Sequence, residues 1–139
     1  MPKISAVIIT KNEAANIARC LQSILNVVDE VLVVDAFSTD DTVKIATGLG
    51  AKVVQKKWIG YSQNKNYGNQ LAKHDWVLSI DADEVLSTAL IASIQAVELK
   101  ENHVYAVNRL NNYCGQWIKH CSWHPDWNSR LFSKKKAQW

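Results

Sequence analysis

The stretch from Trp76 to Glu84 constrains the fold of this chain more than any other, because an apolar run ends there in three acidic residues. Trp76–Ile80 is short and bounded by polar residues, which favours a strand buried in a sheet over a helix. Asp81 and Asp83 would then leave the carboxyl end of that strand, the edge at which ligands bind in open α/β sheets. Two carboxylates one residue apart suit Mg²⁺ or Mn²⁺, which prefer oxygen ligands. An acidic surface turn is the alternative interpretation of the same residues.

Strand patterns alternate with helical patterns along residues 1–100. Apolar, mostly β-branched runs predict three more strands, at Ile4–Ile9, Val31–Val34 and Ala51–Val54. Four helices are predicted. The first begins after Asn12 and the second after Ser38–Asp41, and the other two occupy Ser62–Lys73 and Ser87–Leu99. This alternation is typical of an α/β fold with a mostly parallel sheet.

Local signals predict how three of these helices are built. Asn12 can cap the first helix, with Glu13 favourably placed in its first turn. Ser38 and Asp41 form a capping-box pattern before the second helix. Gly68 lies in the middle of the third, where glycine is about 1 kcal/mol less favourable than alanine, and this indicates close packing.

The pattern changes beyond Glu101. His103–Leu110 alternates like a strand, and Arg130–Phe132 predicts another short strand. Between them lies an aromatic, turn-rich loop that includes Trp117 and Trp123. Its aromatic residues form either a small core beneath the loop or a platform for sugar rings, since aromatic side chains give a large contact area at low entropy cost. Both interpretations stay open.

Cysteine and histidine residues in the same loop raise the question of a zinc site. They are Cys114, His120, Cys121 and His124. The set lacks a C-x2-C or H-x3-H half, and the adjacent pair His120 and Cys121 is awkward for tetrahedral ligation. Loop or buried thiols are therefore favoured, and three widely spaced cysteines do not suggest a disulfide framework.

Length and charge restrict the class of protein. A chain of 139 residues predicts a single domain, 1–139, with a substantial core. The net charge of +3 and the single basic cluster, Lys134–Lys136, do not favour nucleic-acid binding. No apolar run has the length of a membrane span or of a signal-peptide core, so we expect a cytoplasmic protein.

Polar residues follow three of the predicted strands, and parallel strands bring their carboxyl ends to one edge of a sheet. These groups are Thr10–Glu13, Asp35 with Ser38, and Asp81–Glu84. Asp35 can accept a hydrogen bond from a base or a ribose hydroxyl, and Lys65 can add positive charge beside a metal-bound diphosphate. The sequence therefore predicts a nucleoside-diphosphate site. It contains neither the dinucleotide motif G-x-G-x-x-G nor a P-loop.

The same residues resemble a known family. The similar segments are Ile8-Ile9-Thr10-Lys11-Asn12-Glu13, Val33-Val34-Asp35 with Ser38-Thr39-Asp40, and Asp81-Ala82-Asp83-Glu84. They are similar to the motifs of inverting family 2 glycosyltransferases, which implies a GT-A fold: a Rossmann-related, mostly parallel sheet flanked by helices. Residues 1–100 would form the nucleotide-sugar-binding half, and residues 101–139 the start of the acceptor-side half. More narrowly, Arg109–His120, Trp123–Asp126 and Arg130–Phe132 resemble lipopolysaccharide inner-core β-1,4-glucosyltransferases.

The resemblance implies a role for each matching residue. Those that would bind the UDP-sugar are Thr10, Asn12, Glu13, Asp35, Lys65 and Asp81. Asp81 and Asp83 would hold Mg²⁺ or Mn²⁺ as a D-x-D pair, and the metal would neutralise the departing diphosphate during direct displacement at the anomeric carbon. Asp126 is the candidate general base for the acceptor hydroxyl. The alternative for Asp126 is a residue of a Pro-Asp turn.

The resemblance also implies the reaction and its partners. It is that of a hexosyltransferase moving glucose from UDP-glucose to a lipid-linked saccharide of the lipopolysaccharide core, with peripheral association at the inner face of the membrane. Members of the family run past the position at which this chain ends, so we expect a chain truncated at its C-terminus. The alternatives are a nucleotide-sugar-binding fragment without turnover and a sugar-phosphate nucleotidyltransferase.

Overall fold

A computed structural model of the protein describes residues 2–113, 116–118 and 127–139, and strands alternate with helices up to Ala96. The first four strands are β1 (Ile4–Thr10), β2 (Glu30–Asp35), β3 (Lys52–Gln55) and β4 (Trp76–Ser79). The helices are α1 (Ile17–Ile24), α2 (Thr42–Gly48), α3 (Tyr61–Leu71) and α4 (Thr88–Ala96). The later strands are β5 (Val104–Asn108), β6 (Asn111–Tyr113), β7 (Gln116–Ile118) and β8 (Trp127–Ser133).

Six of these strands form one mixed sheet in the order β3-β2-β1-β4-β8-β5. The pairs β1–β2, β1–β4 and β2–β3 are parallel, whereas β8 runs antiparallel to both β4 and β5. The predicted α/β fold with a largely parallel sheet is confirmed. β6 and β7 form a separate antiparallel pair within the stretch that the sequence predicts as a loop.

Burial on both faces of the sheet explains why β1, one of its two central strands, is apolar from Ala6 to Ile9. All seven residues of β1 are buried. Ile4, Ala6 and Ile8 belong to the core that contains the buried face of α1, whereas Val7 belongs to a second core on the α3 side. Successive side chains of a strand point to opposite faces, so a strand covered on both sides has no polar face. Its polar residues are therefore confined to the strand ends.

Gly68 brings α3 into close contact with the sheet, as the sequence predicts. A Cβ atom at this position would lie 2.5 Å from Val7 Cγ1 and 2.9 Å from Val34 Cγ2. We expect Gly68→Ala to lower the free energy of unfolding, measured by urea denaturation, by about 2 kcal/mol. Overpacking at the upper end of its usual range of about 1–3 kcal/mol exceeds the gain of about 1 kcal/mol in helix propensity.

Gly48→Ala is the matched control, because nothing lies within 4 Å of its Cβ position. That variant should be as stable as the wild type or slightly more stable. If Gly68→Ala behaves like Gly48→Ala, the close approach of α3 to the sheet is not what requires glycine at this position.

Two predicted helix caps are wrong. α1 begins at Ile17 after Asn16, and Asn12 lies five residues earlier with a positive φ of 53°. α2 begins at Thr42 after Asp41, and Ser38 is bonded to Asp35 instead of closing a capping box. Both side chains are capping candidates by sequence, but Asn12 Oδ1 accepts a hydrogen bond from the Thr39 N–H in the loop after β2, and the Ser38 hydroxyl donates to Asp35 at the end of β2. By contrast, Ser87 does cap α4, accepting a hydrogen bond from the Leu90 N–H.

Several predictions fall outside the described residues. They concern the zinc alternative, with Cys114, His120, Cys121 and His124, and also Trp123 and Asp126 of the predicted aromatic loop. Among the helices that the structure does describe, none combines the length and the apolar character needed to cross a membrane.

Candidate functional site

The carboxyl ends of β1, β2 and β4 lie side by side, as predicted. Thr10 at the end of β1 is the register partner of Asp35 at the end of β2. Thr10 is 7% exposed, and its hydroxyl has no hydrogen-bond partner among the described residues. A buried hydroxyl without a partner is unfavourable, so Thr10 is a polar position that the packing of this edge does not itself explain.

The loops after β1 and β2 are joined to each other by hydrogen bonds. The Asn12 N–H donates to Ser38 Oγ (2.8 Å), and the Thr39 N–H donates to Asn12 Oδ1 (2.7 Å). The Glu13 N–H donates to Thr42 Oγ1 (2.9 Å) at the start of α2. Asn12 adopts a left-handed backbone conformation, which asparagine tolerates better than most residues. The two loops therefore form one ordered rim beside Thr10.

Asp35 anchors that rim through hydrogen bonds to Ser38. Its carboxylate is fully buried and accepts hydrogen bonds from both the N–H (2.9 Å) and the hydroxyl of Ser38. Gln55 Nε2 also donates to it, at 3.4 Å. In this arrangement the Asp35 side chain holds the Ser38 loop in place. A direct contact between Asp35 and a base or ribose stays a prediction.

Three carboxylates meet where β4 ends. Asp81, Asp83 and Glu84, here called the acidic cluster, each place one carboxylate oxygen within 4.8 Å of the others. A turn closed by the hydrogen bond from the Glu84 N–H to the Asp81 carbonyl (3.0 Å) gathers them. Grouped carboxylate oxygens are the ligands that Mg²⁺ and Mn²⁺ prefer, so the residues present fit such an ion.

A buried arginine and a lysine balance the charge of this cluster. Arg130 on β8 is only 7% exposed, and its Nη2 lies 2.6 Å from Glu84 Oε1 and 3.6 Å from Asp81 Oδ2. Lys65 Nζ on α3 lies 3.8 Å from Asp81 Oδ1. Asp83 is exposed and makes no ion pair with any described residue, so its carboxylate is accessible to a ligand.

Burial and mutual repulsion separate the proton affinities of the two inner carboxylates. Burial raises the pKa of Glu84 to about 7, and the neighbouring Asp81 adds to the rise against the opposing charge of Arg130. Burial also acts to raise the pKa of Asp81, but the hydrogen bond with Glu84 and the charges of Arg130 and Lys65 bring that pKa below its usual value. Asp81 is thus the more persistent anion of the pair.

Lys65 is positioned by Trp139 as well as by Asp81. Its Nζ lies 4.2 Å from the centroid of the Trp139 ring, a cation–π contact. The Asn66 amide donates to the Trp139 carbonyl (2.9 Å) and accepts from the Trp139 N–H (2.9 Å), so the backbone of Trp139 is anchored next to α3. Burial lowers the pKa of Lys65, against the opposing effect of the Asp81 charge. The predicted basic residue therefore lies beside the acidic cluster.

The sequence interpretation gave no role to three residues that the structure brings into this region. The sequence patterns predict Arg130 only as part of a strand and Glu84 only as a neighbour of the D-x-D pair, and they do not place Trp139 in a site. Arg130 carried one available signal, since a charge inside an apolar strand requires a buried partner. The predicted base Asp126 lies outside the described residues.

The fold and this site together define an α/β domain with an acidic, oxygen-rich ligand edge at the end of its fourth strand. Residues 5–139 match the family model of glycosyl transferase family 2. The chain therefore belongs to this family.

Relatives of known sequence agree with the family. An uncharacterized glycosyltransferase of Rickettsia felis is 48% identical over 134 residues, which cover 96% of this chain and 45% of the relative. Glycosyltransferase SunS of Bacillus phage SPbeta is 35% identical over 91 residues, which cover 62% of this chain and 21% of the relative. The chain spans about half the length of the Rickettsia relatives it matches.

Two solved structures are similar to the present one. Staphylococcus aureus TarS 1-349 in complex with UDP-GlcNAc gives a TM-score of 0.58 at 29% identity, covering 68% of this chain and 30% of that chain. Glucosyl-3-phosphoglycerate synthase from Mycobacterium tuberculosis, in complex with Mn²⁺, UDP and glucosyl-3-phosphoglycerate, gives 0.53 at 31% identity, covering 58% and 33%. The fold is thus a GT-A-like α/β sheet flanked by helices, as the sequence motifs imply.

Proposed function

We propose that this domain binds a UDP-sugar at the carboxyl edge of its sheet and is the donor-binding part of an inverting, metal-assisted hexosyltransferase. The observation that carries the proposal is the acidic cluster, three carboxylates within 4.8 Å of one another beside Lys65 and Arg130. Such an arrangement suits a nucleoside diphosphate, because a metal on carboxylates and nearby cations together offset its charge.

Each part of the edge has a distinct task in this proposal. Asp81 and Asp83 hold Mg²⁺ or Mn²⁺, which when bound neutralises charge on the departing diphosphate. Thr10, Asn12 and Glu13 line the uridine pocket. Lys65 supplies a positive charge to the phosphates from α3, and Arg130 keeps Asp81 and Glu84 in place from β8.

Asp35, Thr10 and Asp126 have further roles in the proposal. Asp35 contributes by holding the Ser38 loop and by contact with the base or ribose. The Thr10 hydroxyl, which has no hydrogen-bond partner among the described residues, lies at the same edge of the sheet. Asp126 is proposed as the base that removes the proton from the acceptor hydroxyl, which then attacks the anomeric carbon as the diphosphate leaves.

The finer assignments rest on the resemblance of sequence motifs. They are glucose as the transferred sugar, a lipid-linked saccharide of the lipopolysaccharide core as the acceptor, and a cytoplasmic protein at the inner face of the membrane. Structurally similar proteins differ in the ligand they were solved with, UDP-GlcNAc in one case and UDP with glucosyl-3-phosphoglycerate in the other. The donor sugar therefore has to be compared directly.

Release of UDP from candidate donors tests the proposal. The chain is incubated with UDP-glucose or UDP-GlcNAc in Mn²⁺ or in EDTA, and UDP is measured. We expect Mn²⁺-dependent release, faster from UDP-glucose and faster still when a core saccharide acceptor is added. Donor binding without release under any condition favours the binding fragment. Pyrophosphate release from UTP with a sugar phosphate would instead identify a nucleotidyltransferase.

A further inference from the structure

Phe37 occupies an unfavourable position in two respects. It lies in the loop after β2, where its φ is 56°, in the left-handed region that a bulky residue rarely adopts. Its side chain is also 55% exposed, although it is large and apolar. No aromatic ring of the described residues stacks on it. Neither the backbone conformation nor burial in the core therefore accounts for phenylalanine at this position.

The neighbouring hydrogen bonds explain why the backbone turns at Phe37. Asp35 fixes the backbone and the side chain of Ser38, and Ser38 in turn accepts from the Asn12 N–H. Residue 37 must bridge these anchors, and glycine would do so without strain. Strained residues of this kind are concentrated at ligand sites, where the surrounding structure holds them in place.

The location of Phe37 indicates what its ring can contact. Through Ser38 the loop is bonded to Asn12, and Asp35 at its start is the register partner of Thr10. Phe37 therefore belongs to the rim that the proposed function assigns to the nucleoside. A flat apolar ring complements the face of a nucleobase, whereas the polar residues around it can bind only the edges of the base and the ribose.

We propose that Phe37 stacks against the base of the bound nucleoside diphosphate and contributes to the affinity for the donor. This inference rests on the proposed function, because it takes UDP as the ligand of the same edge. It adds a base-binding residue that the sequence motifs do not assign.

Calorimetric titration of UDP in the presence of Mn²⁺ tests this inference on the wild type, Phe37→Gly and Phe37→Tyr. We expect Phe37→Gly to weaken UDP binding about tenfold or more, and Phe37→Tyr, which keeps a ring face, to bind like the wild type. Inorganic pyrophosphate with Mn²⁺ has no base, so its affinity should be the same for all three proteins. The melting temperature of Phe37→Gly should equal or exceed that of the wild type, because glycine relieves the backbone strain.

The outcomes separate this inference from the proposed function. Binding of UDP by the wild type that is unchanged in Phe37→Gly overturns the stacking role alone. Equal losses for UDP and pyrophosphate show that Phe37 only maintains the loop, and this also overturns the inference. If the wild type does not bind UDP at all, the proposed function fails and the inference fails with it.

Discussion

Replacing Arg130 with methionine is expected to lower the free energy of unfolding by about 3 kcal/mol at neutral pH. The guanidinium is almost fully buried and lies 2.6 Å from Glu84 and 3.6 Å from Asp81. Its removal leaves two carboxylates of the acidic cluster facing each other without their shared cation. Breaking a buried ion pair from one side costs about 3–5 kcal/mol. We expect a loss at the lower end of this range, because Lys65 still pairs with Asp81 and because Glu84 can take up a proton.

Urea denaturation measures this loss, and two further variants identify its cause. Lys135→Met removes an exposed pair with Asp75, so it should leave the free energy of unfolding close to that of the wild type. Adding Glu84→Gln to Arg130→Met should recover about 1 kcal/mol or more, because the charge left unpaired has gone. An Arg130→Met variant no less stable than Lys135→Met would show that the buried cation does not support the acidic cluster.

Replacing Asp83 with asparagine is expected to weaken Mn²⁺ binding in the presence of UDP by about 100-fold, because a charged ligand is lost. Asp83 is exposed and forms no ion pair with the described residues, so the substitution should leave the free energy of unfolding unchanged. A variant that loses metal binding without a change in the free energy of unfolding therefore identifies Asp83 as a residue that binds the metal directly. The electron paramagnetic resonance signal of free Mn²⁺ gives the affinity.

Asp75→Asn is the matched control for Asp83→Asn. Asp75 immediately precedes β4, whereas Asp83 follows it, so the two exposed aspartates lie at opposite ends of the same strand. The control should bind Mn²⁺ like the wild type. Equal Mn²⁺ affinities for the wild type and Asp83→Asn would remove Asp83 from the metal site.

The sequence predicted the part of the fold that depends on burial. The strands β1, β2 and β4 are largely apolar because helices cover both faces of the sheet. Such apolar runs can be recognised in the sequence without knowing which elements pack against them. The same logic placed Thr10, Asp35 and the acidic cluster at one edge. Gly68 was also readable, since an unfavourable residue in a helix indicates a packing requirement.

The interactions that the sequence did not reveal link residues far apart in the chain. By sequence, Asn12 and Ser38 are good candidates for helix caps, yet their polar groups form hydrogen bonds between the two loops. No local rule predicts whether the cap or the bond between loops is more stable. Arg130 reaches Glu84 because β8 pairs with β4. The two residues are 46 positions apart in the chain. The strain at Phe37 likewise becomes visible only when the backbone angles are known.

We propose above all that the acidic cluster binds the donor diphosphate through a divalent metal. Calorimetric titration of UDP into the wild type, once with Mn²⁺ and once with EDTA, tests it most directly. We expect the affinity of the wild type for UDP to be at least about tenfold higher with Mn²⁺ than with EDTA. Equal affinity under both conditions would contradict it, because UDP would then bind without help from the carboxylates that follow β4.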